Sequence, residues 1–175
     1  MTMTLIETKT LGTDTAAVEF TSIPQDGTDL LVLATLRVSF DFSLATWWLA
    51  GLTFNNITSN YSTRNLQGDG SGTGSDTDTT FYFRPNDAGS TSNTFGNASV
   101  YIANYAGSTN KSVSMDNVSE QNGTQAQQQI WGGVWANTAA ITSLKIEANG
   151  SNLVAGTRVS LYKITKGSSG GVVVS

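Results

Sequence analysis

The chain has 175 residues, nine Lys and Arg against thirteen Asp and Glu, a net charge of −4, no cysteine and no histidine. Disulfide staples, thiolate or imidazole metal sites and Ser-His-Asp or Cys-His catalysis are thereby excluded. The basic residues stand singly from Lys9 to Lys166, which is no footprint for a nucleic-acid backbone, and only 13% of residues are charged against roughly 25% in an average globular protein.

Thr, Ser, Asn and Gly fill the polar positions instead, a surface suited to extracellular, phage and adhesin proteins. The opening MTMTLIETKT has no basic segment followed by an apolar one, so no secretory signal is expected. No apolar stretch approaches the roughly 18 residues of a membrane span, so a soluble protein with no membrane partner is expected.

Period-two alternation dominates and predicts strands over Thr4–Leu11 and Ala17–Ile23, the second closed by the turn Pro24-Gln25-Asp26-Gly27. Thr28–Phe40 starts on a continuous apolar run, which predicts a strand covered on both faces. Leu44–Phe54 reads as another long strand, with a bulge at Gly51, and Asp41–Ser43 as the connection that makes the two a hairpin. Further strands are predicted at Asn60–Leu66, Thr79–Phe83, Ser99–Tyr105, Ser112–Val118, Ala126–Trp135, Ile141–Ala148 and Arg158–Thr165. Turn chemistry separates them at 86–89, 106–108, 121–123 and 149–150. Gln125–Ile130 is the best helical segment, but Gly132-Gly133 follows and no amphipathic stripe exists, so strand is preferred.

Nine to eleven short strands without a repeat of fixed period predict an all-β protein, a two-sheet antiparallel β-sandwich of jelly-roll type. Residues 1–166 are read as one domain. Residues 167–175 are read as a Gly/Ser linker and an apolar tail, in which Val172–Val174 would dock on their own sheet or on a neighbouring subunit.

Residues 67–83, QGDGSGTGSDTDTTFYF, are the densest Gly and Asp stretch. A dinucleotide fingerprint fails because Thr73 stands where the third Gly is needed, and a Walker loop fails because no lysine lies between Lys9 and Lys111. An EF-hand count from Asp69 reaches Ser71, Thr73 and Gly74 but ends on Thr80 in place of the bidentate Glu. Asp69, Asp76 and Asp78 remain as candidates for a hard cation; otherwise the stretch is a long polar turn before Phe81-Tyr82-Phe83, available as a contact loop.

For catalysis only carboxylate pairs remain, and no spacing singles out a pair among Glu7, Glu19, Glu120, Glu147 and the aspartates. Trp47, Trp48, Trp131 and Trp135, with Tyr61, Tyr82, Tyr101 and Tyr105, offer either a sugar-stacking platform or core; core is the stronger reading. Asn-x-Ser/Thr triplets at Asn56, Asn97 and Asn117 are accidents of composition. No catalytic, metal or cofactor-binding residue is assigned, and no cofactor is expected.

Three segments carry a resemblance: TLIETKTLGTDTAAVEFTSIPQDGTDLLVL, NYAGSTNKSVSMDNVSEQNGTQAQQQIWGGVW and AGTRVSLYKITKG. Together they cover most of the chain and resemble a family of virion structural proteins of marine and freshwater tailed bacteriophages. The resemblance implies a jelly-roll or β-sandwich fold, a place in the virion and no enzymatic activity. Head decoration, head fibre and tail fibre are the roles it implies. The leading expectation is a capsid decoration, or cement, protein on the head exterior, a homotrimer partnered by the major capsid protein or another virion protein. The alternative is a receptor- or glycan-binding module of a tail or head fibre, with a host-surface glycan as ligand.

Overall fold

The computed structural model describes residues 2–41, 50–120 and 126–166, and strand is the only regular structure among them. In chain order the strands are β1 (Thr2–Thr10), β2 (Ala17–Phe20), β3 (Asp29–Leu36), β4 (Ala50–Phe54), β5 (Tyr61–Gly68), β6 (Thr73–Asp78), β7 (Phe81–Phe83), β8 (Gly96–Ile102), β9 (Lys111–Glu120), β10 (Ala126–Trp135), β11 (Leu144–Ala148) and β12 (Arg158–Thr165). They form an eight-stranded sheet ordered β1-β12-β3-β8-β9-β10-β5-β6 and a four-stranded sheet ordered β2-β11-β4-β7. The protein is thus an all-β, two-sheet antiparallel sandwich, as the strand pattern predicts.

Four ladders are nested within one another: β1 with β12, β2 with β11, β3 with β8, and β4 with β7. The other four strands are two hairpins, β5–β6 and β9–β10, joined to each other and to β8. Both extend the same sheet, so eight strands face four.

Alternation decides which side chains lie between the sheets. Phe20 from β2, Leu52 and Phe54 from β4, Phe81 and Phe83 from β7, and Leu144 and Ile146 from β11 are fully buried against Leu30, Val32, Val100, Ile102, Val159 and Leu161 of the large sheet. Where the hairpins meet the small sheet, Trp135 and Tyr61 stack at 6.1 Å and Phe54 stands edge-on to Trp135 at 5.6 Å. Tyr61 completes this packing by donating to the Ile57 carbonyl (3.0 Å) and accepting from the Phe54 amide (2.9 Å), so its hydroxyl is satisfied although burial pushes its pKa up to about 12.

Asparagine has a backbone role here. Asn55, Asn56, Asn60, Asn93 and Asn104 all adopt positive φ, a region that Asn tolerates better than other side chains. Asn55 also joins two connections, accepting from Thr142 and Ser143 and donating to the Ala140 carbonyl at 2.8 Å.

Four expectations are corrected. The described parts of the two segments expected to form a hairpin, Asp29–Leu36 and Ala50–Phe54, do not pair with each other, because β3 pairs with β12 and β8 while β4 pairs with β11 and β7 of the other sheet. Strand β3 is covered on one face only: Leu30, Val32, Ala34 and Leu36 are buried, whereas Leu33 is 41% exposed on the other side. Gly51 lies in regular register opposite Glu147 and Tyr82, with no bulge. Finally, 67–80 is no long turn but a hairpin that contains β6, because backbone pairing from Gly68↔Thr73 to Thr63↔Asp78 needs no apolar side chain. The preference for strand over helix at Ala126–Trp135 matches the structure; residues 42–49, with Trp47 and Trp48, the turn at 121–123 and the tail 167–175 lie outside the described residues.

Two adjacent glycines of β10 give a test of this packing. A Cβ on Gly133 would meet the Ser62 carbonyl oxygen at 2.5 Å and the Phe81 ring at 3.0 Å, while one on Gly132 would meet nothing within 4 Å. Overpacking costs about 1–3 kcal/mol, and each kcal/mol moves the Tm of a domain this size by roughly 2–4 °C. Gly133→Ala should therefore melt several degrees below wild type, and Gly132→Ala at or above it. Equal melting temperatures for the two variants would contradict the packing.

Candidate functional site

The residues singled out for chemistry do not converge. Asp69 closes the β5–β6 hairpin, its Oδ1 accepting from the Ser71 and Gly72 amides at 2.8 Å each, next to Gly70 at φ +85°. Those amides, Gly72 foremost, hold the Asp69 carboxyl below its ordinary pKa. Asp76 and Asp78 each accept from the amide of the following residue, at 2.7 and 2.6 Å. Among the described residues no three acidic side chains gather at one point.

The glutamates are dispersed as well. Glu7 faces Lys9 at 3.6 Å, Glu147 faces Lys145 at 2.6 Å, and Glu19 accepts from Asn56 at 3.0 Å. Glu120 accepts from Thr91, Thr94 and Asn86, holding the connection between β7 and β8, to which Arg37 donates at the Ser90, Thr91 and Thr94 carbonyls. Lys111 is fully buried at the start of β9, its ammonium donating to the Gly107 carbonyl at 2.7 Å and to the Thr109 carbonyl. Burial pushes the Lys111 pKa down. These are loop-ordering contacts.

Of the aromatic residues, Tyr61, Tyr105, Trp131 and Trp135 are core, and Tyr82 packs edge-on to Trp131 at 6.2 Å. Among the described aromatic residues Tyr101 is the exposed one, and it leads to the surface that distinguishes this molecule. Met3, Leu5, Leu33, Leu66, Tyr101 and Ile130 are the exposed large apolar residues among those described. The registers place all six on one surface, the outer face of the eight-stranded sheet.

That face is a lattice of rows running across the strands. One row, Thr8-Ser160-Leu33-Ser99-Asp116-Ile130-Leu66-Ser75, crosses all eight strands, flanked by rows that begin at Leu5 and Thr10. Charge enters these three rows only at Arg64, Asp116 and Arg158. A shallow groove of about 390 Å³ lies between Arg158 and Asp116 over Leu33 and Ser99, and Ser99 hydrogen-bonds Asp116. A wider depression of about 790 Å³ lies over Leu66, Gln128 and Ile130.

At the hairpin end the usual polarity of a sheet is inverted. The inward residues Asn65, Gln127 and Gln129 are polar and buried, with Gln67 Oε1 accepting from Gln127 and Gln129 at 3.2 and 2.9 Å. The outward Leu66 and Ile130, direct cross-strand partners, are 63% and 53% exposed. Sequence reasoning missed both, because an aliphatic in an alternating strand is read as core. The available signal was the polar set Thr63, Asn65, Gln127 and Gln129 on the opposite parity.

Tyr101 is anchored by Asp29, which sits on the same face of β3 as Leu31, the cross-strand partner of Tyr101, and whose side chain is 1% exposed. Burial raises the Asp29 pKa, but the Asn104 amide at 2.9 Å, the Tyr101 hydroxyl and the Lys166 ammonium at 3.4 Å outweigh it and leave the carboxyl below its ordinary value. Burial, and then the same carboxylate, push the Tyr101 hydroxyl up.

Comparison with protein-family models, with curated proteins and with solved structures finds no match.

Asp29 sets a pH dependence. A carboxyl held lower in the fold than its unfolded value, about 3.9, contributes stability that is complete above that value and is lost as pH falls through the folded one. In urea titrations Asp29→Asn should be less stable than wild type at pH 7 and should lose less stability between about pH 4 and pH 2. An acid slope equal to that of wild type would contradict the assignment.

Proposed function

We propose that the chain is a non-enzymatic structural protein of a bacteriophage particle, a decoration protein of the head exterior that acts by association. The observation that carries this reading is the concentration of the exposed large apolar side chains on one sparsely charged sheet face. The six fall in two groups on that face, Met3, Leu5, Leu33 and Tyr101 at one end and Leu66 with Ile130 at the other, and exposed apolar groups gathered on one face mark interaction surfaces. The nested ladders support a jelly-roll winding, an architecture that capsid and lectin domains share, with the two hairpins as additions to it. The three phage-like segments support the same reading.

Association explains how such a protein would work without a reaction. Anything that binds only the assembled shell stabilises it by mass action. An oligomer touching several major capsid protein subunits makes its later contacts at high effective concentration, so weak contacts add up. Thr, Ser and Asn surfaces suit this role because they carry little charge to desolvate at each contact.

A second reading, a glycan-binding module of a tail or head fibre, is favoured by one feature. The groove between Arg158 and Asp116 is also lined by Asn97, Ser99 and Tyr162, polar groups of the kind that orient a sugar.

Removing the chain from its particle decides between the two. Heads lacking a decoration protein should release DNA at a lower temperature than intact heads, and cryo-EM should place the chain on the shell. Density on the tail, with unchanged head stability and with glycan-array binding abolished by Tyr162→Ala, would replace this reading by the second.

A further inference from the structure

We infer that the outer face of the eight-stranded sheet is where copies of this chain join one another, so that its occupant is a second copy of the chain. The inference deepens the proposed association by assigning the face through which copies meet. It leaves the hairpin tips and the small sheet for other partners.

The first support is size. Eight strands at about 4.8 Å spacing make a face roughly 34 Å wide, and seven paired residues at about 3.3 Å make it roughly 23 Å long. The product is roughly 800 Å², the share each partner contributes to a stable protein interface of standard size. A sugar of a few rings would cover only a fraction of that width, whereas the exposed apolar residues extend from Met3 on β1 to Leu66 on β5.

Charge is the second support. The chain carries a net −4, so two copies repel each other over most of their surface. Across the three rows of the outer face the balance is reversed, with Arg64 and Arg158 against Asp116. Two such faces meet with no acidic excess, so the repulsion between the acidic remainders of the two copies is least there.

The third support is the inversion at the hairpins. Leu66 and Ile130 keep 63% and 53% of their surface in solvent in a single copy, while the amides behind them are already buried. Placing aliphatic side chains outward and polar ones inward is favourable only when the outward side is itself covered. Sheets pack face to face about 10 Å apart, close enough for Leu33, Leu66 and Ile130 of opposing copies to interdigitate.

The test is the mass of the full chain in solution by sedimentation velocity at micromolar concentration, for wild type and for Leu33→Asp and Ile130→Asp. Both substituted side chains are exposed, so circular dichroism and melting should remain those of a folded sandwich. Wild type should sediment as a dimer, and each variant should weaken the dimer at least tenfold. Glu147→Lys, on the opposite sheet, should keep the wild-type mass. A monomeric wild type, or an assembly unaffected by both outer-face variants, would overturn the inference. The two failures are distinguishable: a chain that assembles through this face but sits on no particle keeps the inference and loses the phage reading, whereas a monomer located on a shell does the reverse.

Discussion

The pairing of the two hairpins with β8 is the constraint on which the rest of the molecule depends. Without them, β1-β12-β3-β8 would face β2-β11-β4-β7, four strands against four, and each sheet could cover the other. Adding β9-β10-β5-β6 to one side doubles the width of one layer only. A sheet must bury one face to be stable in water. The added strands meet this need unevenly: near Trp135 and Tyr61 they pack on β4 and β7, and toward Gln127 and Gln67 they line their inner face with amides.

That unevenness has energetic consequences. Buried amides are tolerable only when hydrogen-bonded, and the Gln67–Gln127–Gln129 chain, extended by the Trp131 indole at 3.4 Å from Gln129, supplies those bonds from within the sheet. Asn117 does the same for the start of the β7–β8 connection, donating to the Arg84 carbonyl at 2.8 Å. The low charge of the chain follows from this design, since amides and hydroxyls can be ordered in such layers without the desolvation cost of ions. With the Gln67, Gln127 and Gln129 amides bonded to one another, the outer face remains as the open surface of the large sheet, the one for which a contact role is proposed.

Much of the architecture was legible in the residues. The alternation of Lys111–Glu120 and of Phe81-Tyr82-Phe83 assigns strands and inward faces directly, and the turn residues mark where they end. Strand β6 was illegible because TGSDTD has no apolar residue and is held by backbone pairing alone. The partners of β3 and β4 were illegible for a different reason: proximity in sequence suggests a hairpin, and only the long-range ladders show that the chain crosses between sheets. The site was the least legible part. Leu33, Leu66 and Ile130 are ordinary aliphatics until register places all three in one row of a face that no described element covers, Leu66 beside Ile130 and Leu33 three strands away. The Gly/Asp stretch, most conspicuous in the sequence, is a hairpin closed by Asp69.

The contact role proposed for the outer face of the large sheet is open to hydroxyl-radical footprinting of the unmodified chain at rising concentration. Met3, Leu33, Tyr101, Leu66 and Ile130 should lose labelling together as concentration increases, while half-buried side chains of the small sheet such as Lys145 and Glu147 keep theirs. Labelling of the five that stays independent of concentration, or protection that falls first on the small sheet, would contradict the account.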